Sequence, residues 1–246
     1  MAIPKILHRI RIGTDTLPGE ADEYGRRWRE LHPGWEHRLW TAKNLPKMRN
    51  RTLYDFSENT GHRSDLLRYE ILYRFGGVYV DLDLEPLRPL DPVLAETGPA
   101  DAFAGRVYTT MRELGPQWME TAILGAAPGL PFYDRLLERV TPWAVHFSQA
   151  HTIVRTGPQF FQWHMTEWAK ERGGEAVTLM PTNWFYPYRW DQPQRRRGPF
   201  PGAYAAHHWW GTWLRQPDAM RIPGLDLHQT AEREKRRPEN DPRVTR

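Results

Sequence analysis

Two carboxylates one residue apart follow an apolar run at residues 77–84, Gly-Val-Tyr-Val-Asp-Leu-Asp-Leu. Side chains of a β-strand alternate between its faces, so a strand through this segment places Tyr79, Asp81 and Asp83 on one face. The apolar side chains then face a core: Val78, Val80, Leu82 and Leu84. Neighbouring carboxylates repel each other unless a cation compensates them, and oxygen ligands suit Mg²⁺ or Mn²⁺. The spacing therefore predicts a divalent-metal and nucleotide-diphosphate site at Asp81 and Asp83.

A helix is predicted over residues 62–75, directly before that strand, because its apolar residues recur at i, i+4 and i+8. Gly76 and Gly77 end the helix and turn the chain into the acidic strand. Asp65 and Arg68 are three residues apart, so they share one face of the helix. They form either a local ion pair of little consequence or part of the pocket that contains the two carboxylates.

The chain length and the order of the predicted strands and helices indicate one α/β domain over residues 1–230. Its start has β-α-β order: a strand from Ile3 to Gly13, a helix from Glu20 to Leu31 and a strand from Glu36 to Thr41. Farther on we expect strands at 102–107, 122–126 and 177–180, helices at 131–140 and 157–170, and an aromatic loop at 184–190. The charged segment 231–246 has almost no apolar residues and is predicted to be a flexible tail.

The composition narrows the class of protein. A net charge of +4 and a pI near 9.4 fit a protein that binds anionic ligands. The absence of cysteine excludes disulfides, thiolate metal ligands and a cysteine nucleophile. No run of eighteen apolar residues occurs and no signal-peptide pattern opens the sequence, so we expect no transmembrane segment and a cytoplasmic location.

Three other groups of residues invite functional hypotheses. Arg195, Arg196 and Arg197 lie near several aromatic residues, which is typical either of a nucleic-acid surface or of a solvated loop that meets an acceptor. We favour the loop and expect no nucleic-acid partner. His207 and His208 are adjacent, so in an extended segment only one faces a metal site, and we favour His208. Glu120 is a candidate catalytic carboxylate by composition alone, with a surface glutamate as the alternative.

Taken together, the motifs resemble the DXD sugar-binding region of glycosyltransferase family 32, which includes yeast mannosyltransferases and the large clostridial glucosylating toxins. The resembling motifs are Arg63-Ser-Asp65, Arg68-Tyr69, Gly76-Gly77, Tyr79 and Asp81-Leu-Asp83, with weaker similarity at Pro4-Lys-Ile-Leu-His8, Pro33-Gly-Trp-Glu36 and Gly211-Thr-Trp213. The resemblance spans roughly residues 3–214. An isolated Asp-x-Asp is a weak signal, whereas this ordered string is specific.

The resemblance implies a GT-A fold: a nucleotide-binding mixed sheet flanked by helices, in a single domain with a C-terminal acceptor region. It implies Asp81, Asp83 and Arg68 as catalytic residues, and Asp83 with a histidine, His208 in our preference, as metal ligands. It also implies donor-binding roles for Asp65, Arg68, Tyr79, Asp81 and Trp213. Two positions depart from the family pattern. Arg11 stands where the family has a base-stacking tryptophan, and we expect it to bind the donor by stacking its flat guanidinium on the base. Thr121 stands where relatives often have asparagine.

The paired carboxylates predict a metal-dependent enzyme, and the resemblance implies a retaining glycosyltransferase. It would use Mn²⁺ or Mg²⁺ to move a sugar from a UDP- or GDP-sugar to an unidentified acceptor hydroxyl in polysaccharide, glycoconjugate or natural-product assembly. One alternative is a phosphatase with Asp81 as nucleophile, although Glu85 occupies a position where that class has Thr or Val. Another alternative is a sugar-nucleotide-binding module without turnover.

Overall fold

The computed structural model describes residues 2–13, 17–107 and 118–216. The strands are β1 (Ile6–Ile10), β2 (Glu36–Trp40), β3 (Gly77–Val80), β4 (Leu84–Pro86), β5 (Ala102–Arg106), β6 (Met119–Ala126), β7 (Thr178–Met180) and β8 (Ala205–His207). The helices are α1 (Glu20–Leu31), α2 (Arg51–Phe56), α3 (Thr60–Phe75), α4 (Asp91–Ala95), α5 (Pro131–His146), α6 (Thr152–Arg155), α7 (Pro158–Arg172) and α8 (Thr182–Phe185). Short 3₁₀ helices cover Gly98–Ala100, Pro193–Arg195 and Thr212–Arg215. The predicted tail at 231–246 lies outside the described residues.

The central sheet is mixed and has the strand order β2-β1-β3-β6-β5-β7. Strand β1 is parallel to both β2 and β3, and β5 is parallel to β7. Strand β6 is antiparallel to its neighbours β3 and β5. The parallel pair β1 and β2 is joined through α1, because parallel strands need a crossover connection. The mixed sheet with flanking helices confirms the predicted fold class.

Apolar side chains form a core on both sides of this sheet. One cluster includes Leu67 and Ile71 of α3 together with residues of α5 and α7. The other cluster includes Trp28 of α1, whose Nε1 also donates a hydrogen bond to the Leu84 carbonyl at 3.2 Å. Helix α3 begins at a cap in which the Asn59 side chain accepts a hydrogen bond from the Gly61 amide at 2.8 Å. The core contacts and this cap hold α3 in place next to the sheet, directly upstream of the acidic pair in the sequence.

The predicted strand through Asp83 is wrong, because β3 ends at Val80. The next residues form a turn in which the Leu84 amide donates to the Asp81 carbonyl at 3.2 Å. The chain then enters β4, which pairs with β8 in a separate two-stranded sheet. Leu82 consequently lies partly exposed on the turn instead of facing the core. The two carboxylates therefore occupy the junction between two sheets.

Other predicted elements are present with altered limits. The first strand is shorter than residues 3–13, and the helix predicted at 131–140 extends to His146. Helix α8 occupies the beginning of the expected aromatic loop. Among the described residues, no helix combines the length and the apolar character that are needed to cross a bilayer.

Gly77 allows a close approach of β3 to β1. Its φ is +92°, and an added Cβ would lie 2.5 Å from the Ile6 carbonyl oxygen. Gly129 has a φ of +71° but nothing within 4 Å of an added Cβ. We expect Gly129→Ala to lower the free energy of unfolding by about 1–2 kcal/mol through its backbone conformation. Gly77→Ala should lower it by about 1–3 kcal/mol more, because its methyl group meets backbone.

Urea unfolding of both variants measures this difference. Equal losses in the two variants would contradict the proposed close contact between β3 and β1.

Candidate functional site

Arg68 connects the buried helix α3 to the acidic turn. Its Nη2 lies 3.3 Å from Asp65 Oδ1 and 3.5 Å from Asp81 Oδ1. Its Nη1 donates to the Thr121 carbonyl on β6 at 2.6 Å, and the guanidinium lies 4.6 Å from the centre of the Tyr79 ring. Arg68 therefore contacts both Asp65 and Asp81, so its pair with Asp65 is part of the pocket that contains the two carboxylates.

The carboxylates of Asp65 and Asp81 each have a second partner besides Arg68. Thr156 Oγ1 donates to Asp65 Oδ2 at 2.9 Å, and the Tyr79 hydroxyl donates to Asp81 Oδ1 at 2.5 Å. Asp65 is 4 % exposed, so its charge needs these partners. The structure thus brings together four of the residues that the sequence analysis assigned to the site.

Asp83 lies at the other end of the turn, held by the C-terminal segment. The Trp210 amide donates to Asp83 Oδ2 at 2.9 Å, and the His208 amide donates to the Asp83 carbonyl at 3.0 Å. His207 Nε2 lies 3.2 Å from Asp83 Oδ1 and 3.9 Å from Asp81 Oδ2. Pairing of β4 with β8, which sets Leu84 opposite His207, produces this arrangement.

Asp81, Asp83 and His207 form a cluster that could hold a divalent cation. One ligand atom from each of the three residues can be chosen so that all lie within 4.8 Å of one another. The Nδ1 atom of His207 is buried and has no hydrogen-bond partner among the described residues. Two carboxylate oxygens and an imidazole nitrogen are a donor set that a first-row divalent metal accepts. The residues present therefore fit a metal.

The structure places His207 at this cluster where the sequence analysis favoured His208. The His208 Nε2 lies 3.0 Å from Glu85 Oε2, and its Nδ1 lies 2.7 Å from the Tyr188 hydroxyl. Adjacent side chains of an extended segment face opposite ways, and the register of β8 decides which one faces the acidic turn. His208 is consequently held on the other side, and His207 takes the position predicted for a metal-ligating histidine.

Arg11 and Trp213 lie apart from the contacts that link the acidic residues. Arg11, at the end of β1, forms an exposed ion pair with Asp22 at 2.9 Å. The Trp213 ring packs against Gly61 at the start of α3, and its carbonyl accepts a hydrogen bond from Asn59 at 3.1 Å. Their donor-binding roles remain predictions.

Residues 18–99 match the model of a family described as the glycosyltransferase sugar-binding region containing a DXD motif. The matched segment contains α3, the acidic turn and β4, which are the elements that position Asp65, Arg68, Asp81 and Asp83. Together with two relatives that are 30% and 31% identical over more than two thirds of the chain, this match shows that the chain belongs to this glycosyltransferase family. This match confirms the resemblance that the sequence motifs indicated.

Two curated yeast proteins resemble most of the chain. Inositol phosphoceramide mannosyltransferase 3 of Schizosaccharomyces pombe is 31% identical over 183 residues, which cover 71% of this chain and 48% of the yeast protein. Mannosyl phosphorylinositol ceramide synthase SUR1 of Saccharomyces cerevisiae is 30% identical over 190 residues, or 73% of this chain and 47% of that protein. The chain thus spans about half the length of these relatives.

Solved structures agree with the fold. PaToxG glycosyltransferase superposes with a TM-score of 0.57 at 14% identity, covering 70% of this chain and 71% of that one. The UDP-bound glycosyltransferase domain of the YGT toxin superposes with a TM-score of 0.51 at 12% identity, covering 72% and 80%. Together with the mixed sheet, these similarities confirm the GT-A type of fold.

Burial and charge set the protonation of the three acidic side chains. Burial raises the pKa of Asp65 to about 6, against the opposing effect of Arg68. Burial also raises the pKa of Asp81, although the positive charge of Arg68 acts to lower it. Burial alone would raise the pKa of Asp83, but His207 and the Trp210 amide hold it below its ordinary value. Asp83 is therefore the carboxylate of this turn that is held ionised most firmly.

Glu120 lies close to the site and is not the surface glutamate that the sequence analysis gave as the alternative. It lies on β6 beside Thr121 and is paired with Gly105 of β5. Burial raises its pKa to about 7, with His207 acting to lower the pKa and Asp81 to raise it. In the sequence, only its neighbour Thr121 could have placed Glu120 here, because Thr121 stands at a position that the family resemblance had already marked. In the structure, the Thr121 carbonyl accepts a hydrogen bond from Arg68. No comparable signal identifies Thr156 or the Trp210 amide.

The raised pKa of Glu120 predicts a pH-dependent stability. The folded chain holds this proton more tightly than the unfolded chain, so the stabilisation is present below pH 4.5 and is lost as pH rises through about 7. Glu120→Gln should therefore raise the melting temperature relative to the original chain at pH 8, by about 3 °C for each kcal/mol recovered. At pH 4.5 the two proteins should melt together.

The matched control is Glu138→Gln, because Glu138 is exposed on α5. Calorimetry at both pH values measures the effect, and a pH-independent difference for Glu120→Gln would refute the ionisation argument.

The two histidines provide a matched test of the metal cluster. His207→Ala removes the nitrogen beside Asp83 and should weaken Mn²⁺ binding by at least about tenfold, the lower limit for loss of a group that supports a metal site. His208→Ala removes the partner of Glu85 and should change the Mn²⁺ dissociation constant less than about threefold. Calorimetric titration with Mn²⁺ measures both variants, with circular dichroism to verify folding. A larger loss in His208→Ala would reassign the ligand.

Proposed function

We propose that this chain is a metal-dependent glycosyltransferase that moves a sugar from a nucleotide-sugar donor to an acceptor hydroxyl. The observation that supports this proposal most strongly is the single constellation in which Arg68 bridges Asp65 and Asp81 beside the Asp81, Asp83 and His207 cluster. A cation site next to a buried arginine and a hydroxyl-binding carboxylate suits a ligand with both a diphosphate and a sugar.

In this proposal one set of side chains binds the cation and another set binds the sugar. Asp83, Asp81 and His207 would hold the cation, which supplies Lewis-acid stabilisation of the diphosphate as it departs. Asp65 and Arg68 can bind and orient sugar hydroxyls, because each presents polar atoms from a rigid, buried helix. The Trp210 amide fixes one Asp83 oxygen, so the other oxygen faces His207.

We infer that Mn²⁺ is preferred over Mg²⁺ at this cluster. Mg²⁺ takes oxygen ligands almost exclusively, whereas Mn²⁺ also accepts an imidazole nitrogen. The nitrogen of His207 therefore favours the transition metal.

We propose nucleotide-linked mannose as the donor to test first, because the two yeast relatives are named as mannosyltransferase and mannosyl synthase. The nucleotide base of the donor is either uracil or guanine in this proposal. A structural neighbour was solved with UDP, while Arg11 replaces the family's stacking tryptophan and could stack through its flat guanidinium. Retention of the anomeric configuration and a polysaccharide, glycoconjugate or natural-product acceptor are part of the proposal through the family resemblance.

The phosphatase alternative fits the geometry less well. A nucleophilic aspartate needs a free oxygen directed at the phosphorus, but one oxygen of Asp81 contacts Tyr79 and Arg68, while its second oxygen belongs to the proposed cation cluster.

Nucleotide release from UDP- and GDP-linked mannose, glucose and galactose tests the proposal directly. We expect release that requires Mn²⁺, is abolished by a chelator, and falls by at least about 10²–10³-fold in Asp83→Ala, as when a main transition-state stabiliser is removed. Asp55→Ala is the matched control, because Asp55 is an exposed carboxylate paired with Arg51. Unchanged nucleotide release in Asp83→Ala would contradict the assignment of Asp83 as a metal ligand. Release of inorganic phosphate from phosphomonoesters, without nucleotide release from the sugar nucleotides, would favour the phosphatase.

A further inference from the structure

The imidazole of His207 lacks the hydrogen bond that usually orients a metal-ligating histidine. Such a histidine typically donates from its second ring nitrogen to a carboxylate, a carbonyl or water, and this bond fixes the ring. In this chain Nε2 faces the acidic turn, 3.2 Å from Asp83 Oδ1. The other nitrogen, Nδ1, is buried and has no hydrogen-bond partner among the described residues. Other contacts must therefore fix the orientation of this ring.

Two aromatic side chains contact the His207 ring. The centre of the Trp209 ring lies 4.3 Å from it at an interplanar angle of 64°, and the centre of the Tyr186 ring lies 5.7 Å from it at 90°. Tyr186 and Trp209 also contact each other, with ring centres 5.7 Å apart. Aromatic contacts of this edge-to-face kind depend on the angle between the rings. The imidazole is therefore held by two rings that also support each other.

Tyr186 is held in turn by the protein core. It is 1% exposed, and its amide donates to the Thr182 carbonyl at 2.8 Å, at the end of α8. Its ring lies against Gly105 of β5, where an added Cβ would lie 2.6 Å from the ring carbon Cε2. The ring can approach the strand this closely because residue 105 has no side chain. The central sheet thus sets the position of a ring that contacts His207.

Trp209 has an unusual backbone conformation for a bulky residue. Its φ is +54°, in the left-handed region that residues with a large side chain rarely adopt. Such conformations persist only where surrounding contacts hold them, and they cluster at functional sites. The Trp209 Nε1 donates to the Tyr188 carbonyl at 3.2 Å. On either side of this residue, the His207 imidazole and the Trp210 amide both reach the Asp83 carboxylate.

We propose that Tyr186 and Trp209 are positioning residues that act through His207. Their rings hold the imidazole with Nε2 directed at the cation, in place of the hydrogen bond that Nδ1 lacks. A leucine at either position would fill part of the space without the flat ring that sets the angle of the imidazole. This inference rests on the proposed function, because the cation is part of that function, and it adds two residues from outside the α3 and turn motifs.

Calorimetric titration of the whole chain with Mn²⁺ tests the inference. Tyr186→Leu should weaken Mn²⁺ binding about tenfold, the lower limit for loss of a group that orients a metal ligand. Tyr186→Phe keeps the ring and should retain the affinity of the original chain. Phe185→Leu is the matched control, because Phe185 is also buried beside Gly105, while its described ring contacts are with Phe103 and Trp184. This control should leave the Mn²⁺ dissociation constant unchanged.

A double-mutant cycle with His207 separates positioning from a general loss of structure. If Tyr186 acts through the imidazole, Tyr186→Leu should cause no further loss of Mn²⁺ affinity in a His207→Ala background. Trp209→Leu is the second variant, chosen because the Trp209 side chain is only partly buried and its replacement disturbs the core less. It should show the same weakening and the same dependence on His207. Circular dichroism and thermal unfolding without metal verify that each variant folds.

Four outcomes would overturn the inference. These are unchanged Mn²⁺ affinity in both leucine variants, equal weakening in Phe185→Leu, equal weakening in Tyr186→Phe, and a full further loss in the His207→Ala background. In each of these cases the original chain still binds Mn²⁺. Failure of the proposed function has a different signature, because the original chain itself would then bind no Mn²⁺ and release no nucleotide from sugar nucleotides.

Discussion

The buried charge of Arg68 is the constraint on which the rest of the site depends. Its side chain is almost fully enclosed, and a guanidinium in such a place is costly unless charges and hydrogen bonds surround it. Asp65, Asp81 and the Thr121 carbonyl supply those contacts from α3, the acidic turn and β6. Because each partner comes from a different element, compensation of one charge fixes the relative positions of helix, turn and strand.

This arrangement also explains why Asp81 and Asp83 differ although they are one residue apart. Asp81 faces inward to Arg68 and Tyr79, so its carboxylate belongs partly to the packed interior. Asp83 faces His207 and the Trp210 amide, both from the C-terminal segment. A turn between two sheets permits this division, whereas a continuous strand would have placed both carboxylates in the same surroundings. The end of β3 at Val80 is therefore what allows Asp81 and Asp83 to have different partners.

Local patterns predicted the features that are determined within a few residues. The spacing of Asp65 and Arg68 on α3, the glycines at 76–77 and the mixed α/β order all follow from helix and strand periodicity. The limits of β3 and the choice between His207 and His208 do not, because both depend on the pairing of β4 with β8, which are more than a hundred residues apart. Thr156 reaches Asp65 through a similarly distant contact. Alternation along one strand contains no information about such partners.

The segment from His207 to Trp210 contacts both the acidic turn and two cavities, one lined by Arg88, Arg196 and Arg197 and the other by Tyr188 and Trp190. His207 faces the acidic turn, while His208 faces Glu85 and the arginine-lined cavity. The next two residues bring an aromatic wall and the amide that fixes Asp83. A displacement of this segment would therefore alter the metal cluster and the cavity wall together. Between residues 188 and 200, Tyr188, Trp190, Arg196, Arg197 and Phe200 line these cavities. Among the described residues, no hydrogen bond or ion pair joins them to the carboxylates of Asp65, Asp81 and Asp83. Substitution of these side chains therefore leaves the ion pairs and hydrogen bonds around Arg68 intact, so the charge balance of the acidic turn does not depend on the cavity walls.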